Sequence, residues 1–365
     1  MLDKMFLVCF VSIGAVGVAS WTALIRRKKR GQDLLGRLGG RELIGSPYGL
    51  IDVFLVFFAW FGGQFVAVGV AMLLLGVSLE EIPDLSGDEE ANLLGIVGLA
   101  QLAAITLALV ALYVRYCKVG RVGLQALGLQ PHRIAKDVAL GVLAFTMVIP
   151  IVLLIQWLLT LLVDYEHQSL KMLSKDAAPL TFVLVWFVAG IVAPICEEVF
   201  FRGTLQAWLQ RLGPGRMKSD QILIGGWDEV SGDATKGSGP DQDGNRRADG
   251  AIESEPDVAN PYRSPQFAGS PIENQKGEAI KNDGRRRSWA TQAHWPVYVS
   301  AFIFAALHLG QGAAPIPLFV LAVVLGYLYR KTESILPCIV LHMLLNMFSL
   351  FWYTLNVIYG VEPML

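Results

Sequence analysis

The chain has 365 residues, of which 54% are hydrophobic and only 17% are charged, and its mean hydropathy is +0.49. An ordinary soluble domain has about 45–50% apolar and about 25% charged residues, so this composition excludes a wholly disordered chain, a collagen and a small disulfide scaffold. The formal net charge of −1 carries little information, because it averages segments that face opposite sides of a membrane.

The apolar residues are concentrated in blocks of about 18–25 residues, the length that a helix needs to cross roughly 30 Å of hydrocarbon. We therefore predict an all-α fold, a polytopic transmembrane helical bundle of about eight spans. We expect it to lie in the plasma membrane as a multi-pass protein, in contact with the lipid bilayer. The predicted spans cover residues 5–25, 50–78, 93–117, 138–163, 179–208, 295–311, 315–329 and 335–359.

The polar segments between these spans alternate in charge. Five basic residues, 26–30, follow the first span, and acidic residues are concentrated at 80–90 after the second. Because basic residues flank every second loop, the positive-inside bias predicts a bundle with both chain ends outside the cytoplasm. A signal peptide carries its positive charge before the apolar stretch, but here Lys4 is the only basic residue before it and five basic residues follow it. We therefore interpret the first span as an anchor and not as a cleaved signal peptide. The basic cluster favours contact with anionic lipid, and no nucleic-acid partner is predicted.

One long polar segment interrupts the apolar pattern. Residues 213–293 are rich in Gly, Asp, Asn, Ser and Pro, a composition that buries too little apolar surface to offset its ordering entropy. We predict a disordered cytoplasmic insertion there. The predicted organisation is an N-terminal membrane region with four spans (1–178), a second region with four spans that the insertion interrupts (179–350), and the end of the last span with a C-terminal tail (351–365).

Very few ionisable side chains fall inside the predicted spans. Each is a functional hypothesis, because placing a charged group in lipid is costly. These residues are Glu197, Glu198 and Arg202 in the fifth span, His308 in the sixth and His342 in the eighth. The eighth span also carries an amide, Asn346.

Helix geometry predicts which of these side chains work together. Glu198 and Arg202 are four residues apart, so they share a face and can pair. His342 and Asn346 have the same spacing and point the same way. Glu197 lies about 100° around the helix from Glu198, so both carboxylates cannot face the arginine well. We expect the arginine to neutralise one glutamate and to leave the other free for chemistry.

The depths of these groups in the membrane are similar. With a rise of about 1.5 Å per residue, His342 lies about 14 Å and Asn346 about 20 Å from the nearest cytoplasmic polar flank. The corresponding depths are about 20 Å for His308 and at most about 21 Å for Glu197. The groups can therefore form a single intramembrane site that is reached from the cytoplasm.

Each group also has a purely structural explanation. Glu198 and Arg202 could be a buried structural pair, and His308 could be a hydrogen-bonding group in helix packing. His342 and Asn346 could likewise hold helices together. The three groups together, on separate spans, exceed what helix packing requires.

Taken in chain order, the residues form three motifs, Glu-Glu-x-x-x-Arg, Phe-x-x-x-His and His-x-x-x-Asn, each on an apolar segment. In this combination the sequence resembles the CPBP intramembrane protease family, which includes the type II CAAX prenyl endopeptidases and proteins linked to bacteriocin immunity. The resemblance covers roughly residues 179–350, about half of the chain. It departs from the family in one respect: about 105 residues separate Arg202 from His308, and the family usually connects these helices more briefly.

The resemblance implies an intramembrane endopeptidase that hydrolyses a peptide bond near the cytoplasmic side of the membrane. At the matching positions, Glu197 would be the catalytic glutamate and His308 its partner in activating water. His342 and Asn346 would line the site and stabilise the oxyanion. The implied partner is a membrane-associated protein or peptide substrate, with CAAX-type processing as one implied activity.

Glu198 and Arg202 would then be the supporting pair. A metal-dependent version stays open, because the family is often described as metalloproteases. Glu197, His308 and His342 supply the one-carboxylate, two-histidine set that holds catalytic zinc, and Glu198 would then be the base. We assign no metal ligand and no cofactor from the sequence, and zinc with these three ligands is the alternative.

Two functions other than proteolysis are compatible with the same residues. The first is a non-catalytic immunity or scaffold protein on the same fold, since fold similarity does not settle function. The second is a transporter whose polar residues line a path through the bundle.

Overall fold

The computed structural model describes residues 2–31, 48–81, 128–162, 179–212 and 294–359, without 79 and 130, and short pieces within 96–114 and 222–225. Within these residues the protein is all-helical and has no strand, which confirms the predicted fold class. The helices that build the described bundle are α1 (Leu2–Lys29), α2 (Leu50–Leu75), α3 (Ile134–Thr160), α4 (Phe182–Arg211), α5 (Trp295–Ala306), α6 (Pro315–Thr332) and α7 (Leu336–Tyr359).

Among these described helices, six are long and apolar enough to cross a membrane, and α5, with 12 residues, is shorter. The chain is an integral, multi-pass membrane protein. Each predicted span except one corresponds to one of these helices. The exception, 93–117, lies largely outside the described residues, and so does the predicted insertion 213–293. The division of the chain into domains stays a prediction.

The ends of α2 follow from its sequence. Asp52 is buried, and its carboxylate accepts a hydrogen bond from the backbone amide of Gly49 at 3.0 Å, which caps the first turn. The helix stops at Gly76, whose φ of +64° lies in the left-handed region that glycine adopts without steric cost.

α4 carries the Glu-Glu-x-x-x-Arg motif and is irregular on both sides of it. The turns Val188–Val192 and Val199–Gln206 are π-helical, and the α-helical segment Ala193–Glu198 lies between them. Pro194 has no N–H to donate to the carbonyl four residues earlier, which accounts for a widened turn just before it. Wide turns of this kind are frequent at functional sites.

α5, α6 and α7 follow one another as antiparallel neighbours. α5 packs mainly against α6, and α7 packs mainly against α3. α5 ends at Ala306, so the C-terminal part of the predicted span 295–311 is wrong: residues 307–314 form turns. Glycine explains the break, because Gly312 has a φ of +61° and Gly310 lies in the same short stretch.

Contacts between helix ends define two ends of the bundle. At the first, Arg330 at the end of α6 lies 2.9 Å from His294 at the start of α5. Close by in the fold, Ser334 Oγ before α7 donates to Asp137 at the start of α3 at 2.8 Å. We call this the basic end, since the basic residues at helix ends gather there: Arg26, Arg27, Lys28, Lys29, Arg133, Arg211, Arg330 and Lys331.

The opposite end, which we call the distal end, is identified by contacts of the same kind. Trp186, near the start of α4, donates to Thr354 Oγ1, near the end of α7, at 3.2 Å. The Phe6 ring at the start of α1 packs edge-on against Trp352 with 4.9 Å between ring centroids. The positive-inside bias predicts that the basic end faces the cytoplasm and that the distal end faces the other side of the membrane, and this orientation stays a prediction.

Candidate active site

An ion pair lies on the basic-end side of the motif in α4. Arg202 Nε is 3.2 Å from Glu198 Oε2, and its Nη1 donates to Glu198 Oε1 at 3.2 Å, so the pair predicted from the four-residue spacing is present. Both side chains are at most 1% exposed. Arg202 Nη2 also donates to the backbone carbonyl of Ala322 in α6 at 3.1 Å. A buried charge pair needs such extra hydrogen bonds to offset its lost hydration.

One turn further along α4, Gln206 repeats this contact with α6. Its Nε2 donates to the carbonyl of Gly326 at 2.9 Å, and its side chain is fully buried. A Cβ at position 326 would lie 2.8 Å from Val297 Cγ1, so only glycine lets the helices approach this closely. Sequence reasoning missed Gln206, although its position four residues after Arg202 in an apolar helix was the available signal.

His342 lies between the two glutamates. Its Nδ1 is 2.9 Å from Glu198 Oε1, and its Nε2 is 3.6 Å from Glu197 Oε2. Because Glu198 is paired with Arg202 as a carboxylate, it accepts, and Nδ1 of the histidine carries the proton. A hydrogen bond of this kind fixes both the tautomer and the orientation of the ring. The Nε2 atom therefore faces Glu197.

His308 lies in the turn after α5 and not within a helix. Its Nδ1 is 2.7 Å from the backbone carbonyl of Phe304, and its ring packs against the Phe304 ring with 4.8 Å between centroids. A carbonyl only accepts, so Nδ1 carries the proton and neutral His308 keeps a lone pair on Nε2. That nitrogen can accept a hydrogen bond or a proton.

Asn346 follows His342 by one turn of α7 and contacts α4. Its Nδ2 donates to the carbonyl of Ala189 at 2.8 Å. Ala189 belongs to the first π-helical turn of α4. Since the amide nitrogen has two hydrogens, the second remains available to another acceptor.

A cavity of about 260 Å³ joins these residues. Glu197 reaches it with a side chain that is 14% exposed, whereas the neighbouring Glu198 is fully buried. The polar residues that line the cavity are Glu197, His308, His342 and Asn346, all singled out by the sequence, together with Gln156, Gln311 and Ser349.

The cavity extends from the glutamate towards the distal end. Along α4 it is lined by Val185, Ala189, Ala193 and Glu197, which are four residues apart and follow one another along one strip of the helix. The two alanines leave the space that larger side chains would fill. The polar lining residues that sequence reasoning did not place here come from the distal end of α3 (Gln156), the turn after α5 (Gln311) and α7 (Ser349).

The arrangement of the donors bears on the zinc alternative. Among the described residues, no three His, Cys, Asp or Glu side chains are grouped so that they could hold a metal ion. Catalytic zinc needs three protein ligands at about 2.0–2.2 Å from one point. Glu197, His308 and His342 line the same cavity but do not fit as a zinc ligand set.

Comparison with known proteins places the C-terminal helices in a family. Residues 179–225 and 282–348 match the family described as type II CAAX prenyl endopeptidase Rce1-like. The matched residues include both glutamates and Arg202 in α4, His308, and both His342 and Asn346 in α7. The chain matches no curated protein and no solved structure. Over these residues, the chain is therefore similar to the Rce1-like family of type II CAAX prenyl endopeptidases, a family of CAAX-type proteases.

Proposed function

We propose that the protein is an intramembrane endopeptidase in which Glu197 and His308 activate the water that hydrolyses the peptide bond. One observation carries the proposal: four polar side chains from α4, from the turn after α5 and from α7 line a single cavity. They are Glu197, His308, His342 and Asn346. The family match of these same helices supports the reaction class.

Glu197 and His308 offer two acceptors to one water molecule. The carboxylate reaches the cavity, and the free Nε2 of His308 has a lone pair because Phe304 holds Nδ1. A water that donates to both directs an oxygen lone pair at the substrate carbonyl carbon. As the new C–O bond forms, one proton passes from the water to Glu197 and the carbonyl oxygen becomes a tetrahedral oxyanion.

The oxyanion requires hydrogen-bond donors. Asn346 supplies its second amide hydrogen, and His342 supplies Nε2–H when that nitrogen is protonated. Collapse of the intermediate breaks the C–N bond, and the proton held by Glu197 moves to the leaving amine, which restores the carboxylate. Glu198 and Arg202 touch none of the reacting atoms in this scheme. They position His342 through its Nδ1.

The substrate in this proposal is a membrane-associated protein or peptide, processed in the plasma membrane. Apolar side chains such as Val185, Leu318 and Leu345 form much of the cavity wall, so the residues next to the cleaved bond are apolar. CAAX-type processing is the activity that the family suggests.

The test is a comparison of membrane proteins from cells that carry the wild-type chain or Glu197→Gln, with new protein termini as the measurement. We expect termini that depend on Glu197, with a loss of about 10²–10⁴-fold in cleavage, because the amide cannot accept the proton. Glu81→Gln is the matched control, since Glu81 is an exposed carboxylate outside the cavity. Termini that persist in Glu197→Gln, His308→Ala and His342→Ala would refute the assignment and favour a scaffold.

Chelation separates the two mechanisms that the sequence left open. The purified wild-type chain is assayed on a substrate found in the first experiment, after exhaustive chelation and with its metal content measured. Cleavage that survives without bound metal supports water activation by Glu197 and His308. Cleavage that is lost on chelation and restored by zinc contradicts it.

A further inference from the structure

A polar cluster lies at the basic end, where α5 begins and α6 ends. His294 directly precedes α5 and Tyr298 follows it by four residues, while Tyr327 and Arg330 lie three residues apart near the end of α6. His294 Nδ1 is 2.9 Å from Arg330 Nη1 and 2.5 Å from the Tyr327 hydroxyl. The hydroxyl oxygens of Tyr327 and Tyr298 are 3.5 Å apart. The neighbouring ends of the two helices thus bring these four side chains into one group.

Two donors in this cluster converge on one acceptor. Arginine N–H groups only donate, and a tyrosine hydroxyl has one hydrogen to donate. A neutral histidine that accepts at Nδ1 has a single lone pair there, so this atom accepts fully from Arg330 or from Tyr327 but not from both. The Tyr298 hydroxyl adds a further donor beside them. An anion with several oxygens would supply acceptors for all of these donors at once.

Two positive charges act on the same cluster. Arg330 and Lys331 both lower the pKa of His294, as neighbouring cations do. The guanidinium carbon of Arg330 lies 5.7 Å from the centre of the Tyr327 ring, and only 6% of this arginine is exposed, so its position is fixed by packing. His294, Tyr298 and Lys331 are exposed around it. A fixed guanidinium with exposed polar side chains beside it suits a phosphate group.

The surface of α5 next to the cluster is apolar and exposed. Phe302 follows Tyr298 by four residues, so it lies on the same face of α5, and it is 67% exposed. Val299 and Trp295 on the same helix are 37% and 41% exposed. Exposed apolar side chains on a membrane protein contact acyl chains, and exposed tryptophan and tyrosine are typical of the membrane–water interface. A polar cluster at a helix end beside an apolar strip matches the headgroup and the acyl chain of a phospholipid.

We propose that the start of α5 and the end of α6 form a binding site for the phosphate group of an anionic phospholipid. Arg330 presents a planar set of N–H donors to the phosphate oxygens, and Lys331 adds a point charge. The hydroxyls of Tyr298 and Tyr327 donate to the same group, and an acyl chain lies along Phe302. None of these side chains lines the cavity, so the lipid is bound apart from the site proposed for hydrolysis.

Lipid binding by the full-length chain in detergent tests this site. Native mass spectrometry measures the Kd for phosphatidylglycerol and for phosphatidylcholine, whose choline group cancels the phosphate charge. The double variant Tyr298→Phe with Tyr327→Phe keeps both rings and removes both hydroxyl donors, so its Kd for phosphatidylglycerol should rise by about tenfold or more. Its Kd for phosphatidylcholine should change much less. Tyr359→Phe, exposed at the end of α7, is the matched control and should bind as the wild type does.

A second pair of variants separates a defined site from general attraction between basic residues and anionic lipid. Lys331→Gln should weaken binding of phosphatidylglycerol by about fivefold, because it removes a charge beside the phosphate. Lys28→Gln, exposed at the end of α1, should leave the Kd unchanged. Both lysines are exposed, so these variants test the site even if the double tyrosine variant fails to fold. Equal losses in the two lysine variants overturn the proposal, and so does a wild-type Kd in a folded double tyrosine variant.

Inorganic phosphate identifies the source of the bound group. It offers the same acceptor oxygens as the lipid but has no acyl chain to lie along α5. We expect phosphatidylglycerol to raise the Tm of the wild type more than that of the double tyrosine variant, and inorganic phosphate to raise neither. A Tm that rises with inorganic phosphate in the wild type alone, with equal effects of the lipid on both proteins, would assign the site to a soluble phosphate and overturn the lipid proposal. These readouts are independent of cleavage by Glu197.

Discussion

The two halves of α4 differ in a way that separates stability from chemistry. From Glu198 to Ala207 every residue is buried, and two polar side chains reach across to α6. From Phe182 to Glu197 most residues are partly exposed, and small residues line a cavity. The boundary between the halves falls between adjacent glutamates. One of them is a structural group held by Arg202, and the other faces the cavity.

The packed half is the place where a single substitution should cost the most stability. Arg202→Met leaves the Glu198 carboxylate buried without its charge partner, which costs about 3–5 kcal/mol. Thermal unfolding in detergent measures the loss as a large drop in Tm. The double variant Glu198→Gln with Arg202→Met removes both charges and should recover much of the loss. An Arg202→Met protein that melts like the wild type would contradict the comparison.

A smaller loss is expected from Gly326→Ala in α6, whose carbonyl accepts a hydrogen bond from Gln206 in the packed half of α4. The new methyl group would lie 2.8 Å from Val297 Cγ1 and 3.0 Å from Gln206 Oε1, so these side chains or the helices that carry them must shift. Overpacking of this kind costs about 1–3 kcal/mol. Gly69→Ala in α2 is the matched control, because nothing lies within 4 Å of its Cβ position. Equal Tm values for the two variants would show that the packed half tolerates extra volume.

Substitutions in the half of α4 that lines the cavity should lower cleavage and leave the stability of the protein nearly unchanged. Ala193→Leu projects a longer side chain into the cavity one turn from Glu197, so it displaces the peptide and lowers cleavage by about tenfold or more. Its unfolding free energy should change by less than about 0.5 kcal/mol, because the side chain enters free space. Ala139→Leu, exposed on α3, is the control. A large fall in Tm with normal cleavage would invert the assignment of the two halves.

The smallest effect is expected at the basic end, where His294 is the titrating group. Loss of some hydration at this exposed position, then the positive charges of Arg330 and Lys331, lower the pKa of His294 below its ordinary value of 6.5. The neutral ring accepts a hydrogen bond from Arg330 at 2.9 Å. Because the unfolded chain binds the proton more readily, this stabilisation is present above about pH 6.5 and is lost as the pH falls.

Exposure to solvent keeps the contribution of His294 below about 0.5 kcal/mol. The measurement is the Tm difference between wild type and His294→Ala, which should be larger at about pH 8 than at about pH 5. A difference that grows on acidification would mean that the protonated form is the stabilising one.

The sequence was most informative where spacing along one helix decides the outcome. The pairing of Glu198 with Arg202, and the common face of His342 and Asn346, required only the helical repeat. The scarcity of ionisable residues in apolar segments singled out Glu197, His308 and His342, three of the polar residues that line the cavity. Packing between helices was not predictable in this way. No local pattern places His342 between both glutamates, since that depends on the crossing of α4 and α7.

Two further features escaped the sequence for physical reasons. The π-helical turns on both sides of Ala193–Glu198 change which side chains share a face, and a regular 3.6-residue repeat does not include such turns. The end of α5 at Ala306 places His308 in a turn, whereas the apolar run continued through it. Predicting that the cavity extends towards the distal end would have required the positions of the helix ends and the packing of the buried side chains, and neither can be read from the composition.

The position of the long polar segment has a consequence for how the chain tolerates change. Its flanks, Arg211 and His294, are both at the basic end, and the cavity extends away from that end. The entropy of closing a loop rises only slowly with its length. Residues can therefore be gained or lost between α4 and α5 without altering the distance from Glu197 to His308. This explains how the family match can fall in two separate ranges of the sequence although their side chains line one cavity.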